Sequence, residues 1–259
     1  MNIAFSIITV TYNSRNNLLK TILSVQSQNY KNYQHIIKDG LSTDETKKID
    51  FSSFKNTKFF ESKDIGIYDA MNQAFKYAQN EYIIYLNSGD VFFSENTLYE
   101  LARNIAINPN YNEYIGGTLQ INPLSKKLLR IIGLSKLYRF LPLSQLPHPS
   151  FVVKKSILKK LKFPFDPYLN IASDYKQQLT LRKKNLWKIF HLKQIISIMP
   201  IGGKSNINKS SVILGYKETL KTSSKLFPFY STYIIFLKLF FHLYSKILTY
   251  KFKKIKIKY

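Results

Sequence analysis

Near its start the chain carries a short apolar, β-branched run, Phe5-Ser-Ile-Ile-Thr-Val10. It is too short for a helix and predicts a strand buried on both faces. From Arg15 to Gln28 the period changes, with Leu18, Leu19, Ile22, Leu23 and Val25 at helical spacing and Asn13 or Ser14 at the N-cap position. Strand-length runs return at Gln34–Asp39, Lys58–Glu61 and Glu81–Leu86, and a helical pattern fills Gly66–Gln79. Ser42-Thr-Asp-Glu45 has the cap chemistry that opens a further helix. Strands alternating with helices predict an α/β fold, a mostly parallel central sheet covered on both faces. Such sheets bind ligands beyond the carboxyl ends of their strands. Polar residues gather at those ends: Thr11, Tyr12, Asn13, Asp39, Asn87 and Asp90.

The far end reads differently. Phe229–Tyr250 is apolar and aromatic except at a few positions, and Lys238, His242, Lys246, Thr249 and Lys253 form one narrow polar stripe on a helix. Each charged lysine costs roughly 2.5–3.5 kcal/mol at the middle of a bilayer, which disfavours a spanning helix. The pattern predicts an amphipathic helix lying in the headgroup plane; the alternative is a helix that docks its broad apolar face on the rest of the chain. These patterns divide the sequence into residues 1–215 and a helical tail, 216–259. Lys126–Arg139 also mixes cations with large apolar residues, as interfacial segments do.

Charge sharpens that division. The 259-residue chain has a formal net charge of +24. Residues 1–113 hold 11 Lys and Arg against 12 Asp and Glu, whereas residues 114–259 hold 28 against 3. No acid follows Glu218, and nine lysines do. Such asymmetry points to a polyanionic partner, nucleic acid or anionic lipid. Phe252–Lys258 is a polybasic end worth about 1 kcal/mol per cation near anionic lipid. No nucleic-acid-binding signature is present, and the apolar tail suits lipid. The absence of cysteine excludes disulfides, thiolate catalysis and zinc-thiolate sites. No Gly-rich phosphate loop occurs. The start lacks a basic segment ahead of an apolar one, so a cytoplasmic protein, peripheral on the inner face of the cytoplasmic membrane, is expected.

Four segments together carry a family resemblance. They are Ser6–Asn13; Ile36–Thr46 with its Asp39-Gly-Leu-Ser-Thr-Asp44; Glu61–Asn72; and Ile83–Asp90 with its Asn87-Ser-Gly-Asp90. In this order and spacing they resemble the family 2 glycosyltransferases, in particular those of bacterial surface-polysaccharide synthesis, over roughly residues 1–205. The resemblance implies a GT-A fold and an inverting transfer from a nucleotide sugar, a UDP-sugar above all. The acceptor would be a glycan or a polyprenyl-diphosphate-linked sugar, and the cofactor Mn²⁺ or Mg²⁺. It also implies roles. Thr11, Tyr12, Asn13 and Asp39 would meet the nucleotide, Tyr12 covering the base and Asp39 accepting from uracil or ribose; Asp39 alternatively is a turn residue before Gly40. Asp69 and, on weaker grounds, Asn72 border the donor pocket, or Asp69 faces solvent. Asp90 would bind the metal, with Asn87 offering a carbonyl where the family usually has a carboxylate. His148 is a second ligand, a donor to the leaving phosphate, or structural. Asp174, in an Ala-Ser-Asp-Tyr element, is the general base or a helix cap, and Gly202–Ser205 a loop over the donor phosphates. Against the enzyme stand two alternatives, a non-catalytic scaffold with a thinned metal motif and a nucleic-acid-binding protein.

Overall fold

The computed structural model describes residues 2–134, 137–140, 143–202 and 209–251. Strand β1 (Phe5–Thr11) leads into helix α1 (Arg15–Gln26) and strand β2 (Tyr33–Asp39), followed by β3 (Thr57–Glu61), α2 (Ile67–Phe75) and β4 (Tyr82–Tyr85). Then come β5 (Val91–Phe92), α3 (Thr97–Ile107), β6 (Glu113–Ile121), β7 (Leu128–Ile132) and the short α4 (Leu137–Phe140). β8 (Phe151–Lys154), α5 (Lys155–Leu158), α6 (Ser173–Lys183), β9 (Ile189–Pro200), α7 (Lys209–Leu226) and α8 (Ser231–Lys251) complete the fold.

Nine strands form one sheet in the order β3-β2-β1-β4-β8-β6-β9-β5, with β7 attached to β6. The first four pair in parallel, as the alternation of strand and helix requires. Beyond β4 the sheet is mixed, because β8 enters antiparallel between β4 and β6. The strands of the parallel half are wholly buried except β3 at the edge, which explains their continuous apolar runs.

Alternation along the strands sorts side chains between two cores. Ile8, Val10, Ile83 and Tyr85 face a cluster closed by Tyr68, Met71 and Ala74 of α2. Phe5, Ile7, Ile84 and Tyr82 face the opposite cluster, closed by Leu98, Leu101 and Ile105 of α3. The helix expected to open at Ser42 is only a 3₁₀ turn, Glu45–Lys48, started by Asp44 accepting from the Thr46 amide. Lys126–Arg139, read as interfacial, contains β7, paired antiparallel to β6.

The tail helix is docked. Leu237 and Phe241 join the core cluster that contains α2, and Phe241 stacks on Tyr138 at 4.0 Å. Its polar stripe is divided: Lys238 Nζ donates to Thr219 Oγ1 of α7 at 2.7 Å and the Ile131 amide of β7 donates to Thr249 Oγ1 at 3.0 Å, whereas His242 and Lys246 are exposed. An apolar row also faces solvent, with Phe236, Leu239, Leu243 and Ile247 each at least half exposed. α7 runs across the boundary expected at residue 215. No helix among the described residues is long and apolar enough to cross a membrane. Lys253, the Phe252–Lys258 run and residues 203–205 lie outside the described residues.

Candidate active site

Thr11 pairs with Asp39 across β1 and β2, so the two strands end level with each other. Asp39 is fully buried; its Oδ2 accepts from the Ser42 amide at 2.7 Å and its Oδ1 from the Ser42 hydroxyl at 2.5 Å. Asn13 adopts φ +47°, which asparagine tolerates, and its Oδ1 accepts from the Thr43 amide at 2.7 Å. Asp39 and Asn13 therefore tie the 40–44 loop to the end of β1, the turn role that was one reading of Asp39. The loop leaves Tyr12 two-thirds exposed above the crevice. A Cβ on Gly40 would stand 2.9 Å from Asp64 Oδ2 and 3.3 Å from the Tyr12 ring, so glycine lets the end of β2 pack closely against both.

Asp64 was not singled out in the sequence as a site residue. It forms an ion pair with Lys38, whose side chain is fully buried in β2 and also donates to the Ser62 carbonyl at 2.9 Å. A lysine inside an otherwise apolar strand was the available signal, since buried ammonium groups need a partner. Asp69, by contrast, turns back on its own helix, accepting from the Ile65 amide and from Gln73. Asn72 clamps Phe165 by accepting from its amide and donating to its carbonyl.

The end of β4 supplies the opposite wall. Thr21 of α1 pins the Asn87–Asp90 turn, its hydroxyl donating to the Asp90 carbonyl at 2.8 Å and accepting from the Gly89 amide at 2.9 Å. Gly89 takes φ +98°, a conformation other residues rarely adopt. Burial pushes the Asp90 carboxyl up to about 7, partly offset by the Asn87 backbone amide. Asn87 Oδ1 and Thr11 Oγ1 are buried oxygens without hydrogen-bond partners among the described residues. Such orphan oxygens are costly unless a ligand meets them.

His148 sits in a 3₁₀ turn before β8, packed flat on Tyr85 (ring centroids 5.2 Å) and edge-on to Phe165 (5.3 Å). Burial lowers its imidazole to about 4, so the ring is neutral at pH 7. Tyr85 is the last residue of β4, so His148 stands beside the strand that carries the Asn87–Asp90 turn.

Asp174 lies in the first turn of α6, whose N-cap is Ala172, and its Oδ1 accepts from the Tyr175 amide at 2.8 Å. Burial pushes this carboxyl up to about 6, against the opposing pull of the Tyr175 amide and of Lys238. Lys238 is in turn lowered to about 8 by burial, with Asp174 and Glu218 opposing the shift. The preceding loop is held from two sides. Glu218 of α7 accepts from the amides of Asn170, Ile171 and Ala172 at 2.8–2.9 Å, and the Tyr68 hydroxyl of α2 donates to the Ile171 carbonyl at 2.6 Å. The sequence reading missed Glu218 and Lys238. Their signal was weak: Glu218 is the last acid in the chain, and Lys238 interrupts an apolar helix.

A mixed sheet of this order, with polar residues at the carboxyl ends of its parallel strands, has the GT-A architecture. Residues 6–160 match the model of glycosyl transferase family 2, and the chain belongs to that family. A Haemophilus influenzae glycosyltransferase, uncharacterised, is 29% identical over 80% of this chain and 84% of its own length. An Escherichia coli UDP-Glc:alpha-D-GlcNAc-diphosphoundecaprenol beta-1,3-glucosyltransferase is 24% identical over 70% of each chain. Among solved structures, Staphylococcus aureus TarS 1-349 in complex with UDP-GlcNAc superposes with a TM-score of 0.70 at 18% identity, covering 98% of this chain and 76% of that one. The mannosyltransferase PcManGT of Pyrobaculum calidifontis, in complex with GDP-Man and Mn²⁺, gives a TM-score of 0.65 at 13% identity, over 94% of this chain and 72% of that one.

Family 2 enzymes typically use a divalent cation, and the donor set here fits one loosely. No cluster of three or more acidic or histidine ligands is preformed among the described residues. The Asp90 carboxylate and the orphan Asn87 Oδ1 are hard oxygen donors of the kind Mg²⁺ and Mn²⁺ take, and such ions commonly complete their shell with substrate phosphate and water.

Proposed function

We propose that this protein is an inverting glycosyltransferase that moves a sugar from a UDP-sugar to a hydroxyl of a polyprenyl-diphosphate-linked glycan. The observation that carries this reading is the meeting of the carboxyl ends of β2, β1 and β4, which sets Asp39 beside Thr11 and the Asn87–Asp90 turn next to the end of β1, with buried oxygens on Thr11 and Asn87 that lack partners among the described residues. Exposed Tyr12 could cover a flat base, and two of the proteins named above, the Escherichia coli glucosyltransferase and TarS, act on or bind uridine-linked donors, whereas PcManGT binds GDP-Man.

Asp90 and Asn87 would hold a Mn²⁺ or Mg²⁺ ion. When bound, that cation neutralises charge on the donor diphosphate and on the leaving nucleotide. His148, neutral and packed against Tyr85, fits a role as donor or ligand at the diphosphate. Asp174 takes the acceptor hydroxyl's proton while that oxygen attacks the anomeric carbon, and the nucleoside diphosphate departs from the opposite face. No covalent intermediate on the enzyme is needed. A carboxyl raised to about 6 is still ionised at pH 7 and is a stronger base than an ordinary aspartate. The reaction would run at the inner face of the cytoplasmic membrane, with the outward apolar row of α8 meeting lipid and exposed Lys246 meeting anionic headgroups.

The deciding experiment is thermal stabilisation by uridine, guanosine and cytidine nucleotide sugars with and without Mn²⁺, followed by donor turnover. Stabilisation by UDP-sugars with Mn²⁺ is expected. A response confined to guanosine nucleotides would move the donor, and the absence of any nucleotide response would sink the reading.

A further inference from the structure

A second pocket opens at the ends of β6 and β9, lined by Gln120, Leu129, Arg130, Ile201, His242 and Lys246. β6 is antiparallel to β8, and β8 to β4, so the carboxyl end of β6 lies on the same sheet edge as those of β4 and β1. Pro200 at the end of β9 lies 3.6 Å from where a Cβ on Gly89 would stand, so the pocket adjoins the Asn87–Asp90 turn.

The polar groups around this pocket are hydrogen-bond donors. Gln120 is only 3% exposed; its Oε1 is engaged by Arg130 Nε, and its Nε2 has no partner among the described residues. Arg130 Nη1 lies 3.0 Å from His242 Nδ1. Because a guanidinium can only donate, the imidazole accepts there and carries its own hydrogen on Nε2. Lys246 adds an ammonium one turn further along α8. No carboxylate is paired with these groups among the described residues: of the three acids after Glu113, Asp166 pairs with Lys176, Asp174 accepts from the Tyr175 amide in the first turn of α6 and Glu218 holds the 170–172 loop. Burial, then Arg130 and Lys246, hold His242 below its usual range, and burial lowers Arg130. A buried amide without an acceptor is costly, and an anion with several oxygens can meet it together with the guanidinium, imidazole N–H and ammonium beside it.

We propose that this pocket binds a phosphate-bearing anion, and that its occupant is the diphosphate of the lipid-linked acceptor, held beside the donor site. The proposal rests on the transferase reading and deepens it by naming where the acceptor is gripped. Exposed Leu129 and the outward apolar row of α8 flank the pocket, so a prenyl chain leaving the diphosphate meets apolar surface.

The test uses the full chain saturated with UDP and Mg²⁺, which is diamagnetic and leaves the imidazole resonances sharp, so that the donor's own diphosphate site is filled. Inorganic pyrophosphate is titrated while the imidazole resonances are followed by NMR, with His242→Asn assigning the signal. A saturable response is expected, with the His242 titration moved upward and geranyl diphosphate competing for the site. Affinity should fall about tenfold in Arg130→Gln and about threefold in Lys246→Gln, with stabilisation by UDP unchanged in both. Lys246 is exposed, so its variant remains informative if Arg130→Gln folds poorly. A His242 response to phosphatidylglycerol vesicles but not to pyrophosphate overturns the diphosphate in favour of a headgroup. No response, or equal affinity in both variants, overturns the site. Lost stabilisation by UDP with an intact pyrophosphate response sinks the donor reading and leaves the pocket standing.

Discussion

Asp174 and Asp39 are both carboxylates at strand or helix ends, yet their surroundings give them different chemistry. Asp39 accepts two hydrogen bonds from Ser42, so its first effect is on the shape of the 40–44 loop. Asp39→Ala should weaken stabilisation by UDP and also cost about 1–3 kcal/mol of stability, because the buried Ser42 groups lose their acceptor. Denaturant melts with and without UDP separate the two effects; an unchanged UDP response would remove Asp39 from the donor site. Asp174→Asn keeps shape and loses the proton acceptor, so transfer should fall by roughly 10²-fold or more with UDP binding intact. In the wild type, kcat measured at saturating donor and Mn²⁺ should rise as pH increases through about 6, because only the ionised carboxylate takes a proton. The same shift has the opposite sign for stability: a raised carboxyl pKa favours the folded state at low pH, and that contribution is lost as pH climbs from the ordinary carboxylate range through about 6.

At the level of elements, the base sits on α6 but is held by α7. Glu218 gathers three backbone amides of the loop leading to Asp174, and a carboxylate accepting several such bonds is worth more than neutral pairs. Glu218→Gln should lower the melting temperature modestly and reduce kcat more than it changes the donor KM, because the donor crevice lies on other strands. Equal kcat in variant and wild type would make Glu218 a structural tie with no bearing on the base. Lys238 of α8 joins the same arrangement by anchoring to Thr219, the residue next to Glu218.

Across the whole molecule, α8 does two things with opposite faces. Its inner face is core: Phe241 is nearly buried and stacked on Tyr138, so Phe241→Ala should cost about 3–5 kcal/mol. Removing residues 231–259 should therefore destabilise the catalytic domain, as circular dichroism melts would reveal. The outer row can be changed without touching that core. Leu239→Glu with Leu243→Glu should release the protein from anionic vesicles at an unchanged melting temperature. Co-sedimentation equal to wild type would place any membrane contact away from α8.

Apart from the 3₁₀ turn at Glu45–Lys48, the strands and helices of residues 5–86 were legible because buried parallel strands and amphipathic helices write their periods directly into local sequence. The convergence of Thr11, Asp39 and the Asn87–Asp90 turn on one edge followed from that alternation. What local pattern could not carry was which face of α8 turns inward. Its polar stripe reads as a solvent face, but the partners of Lys238, His242 and Thr249 are Thr219, Arg130 and the Ile131 amide, on elements remote in sequence. The same distance hid the Glu218 clamp, the Lys38–Asp64 pair and the donor-lined pocket around Gln120. Periodicity reports how a residue relates to its own helix or strand; burial of a charge depends on which other element brings the counter-group, and that was decided only when the chain folded.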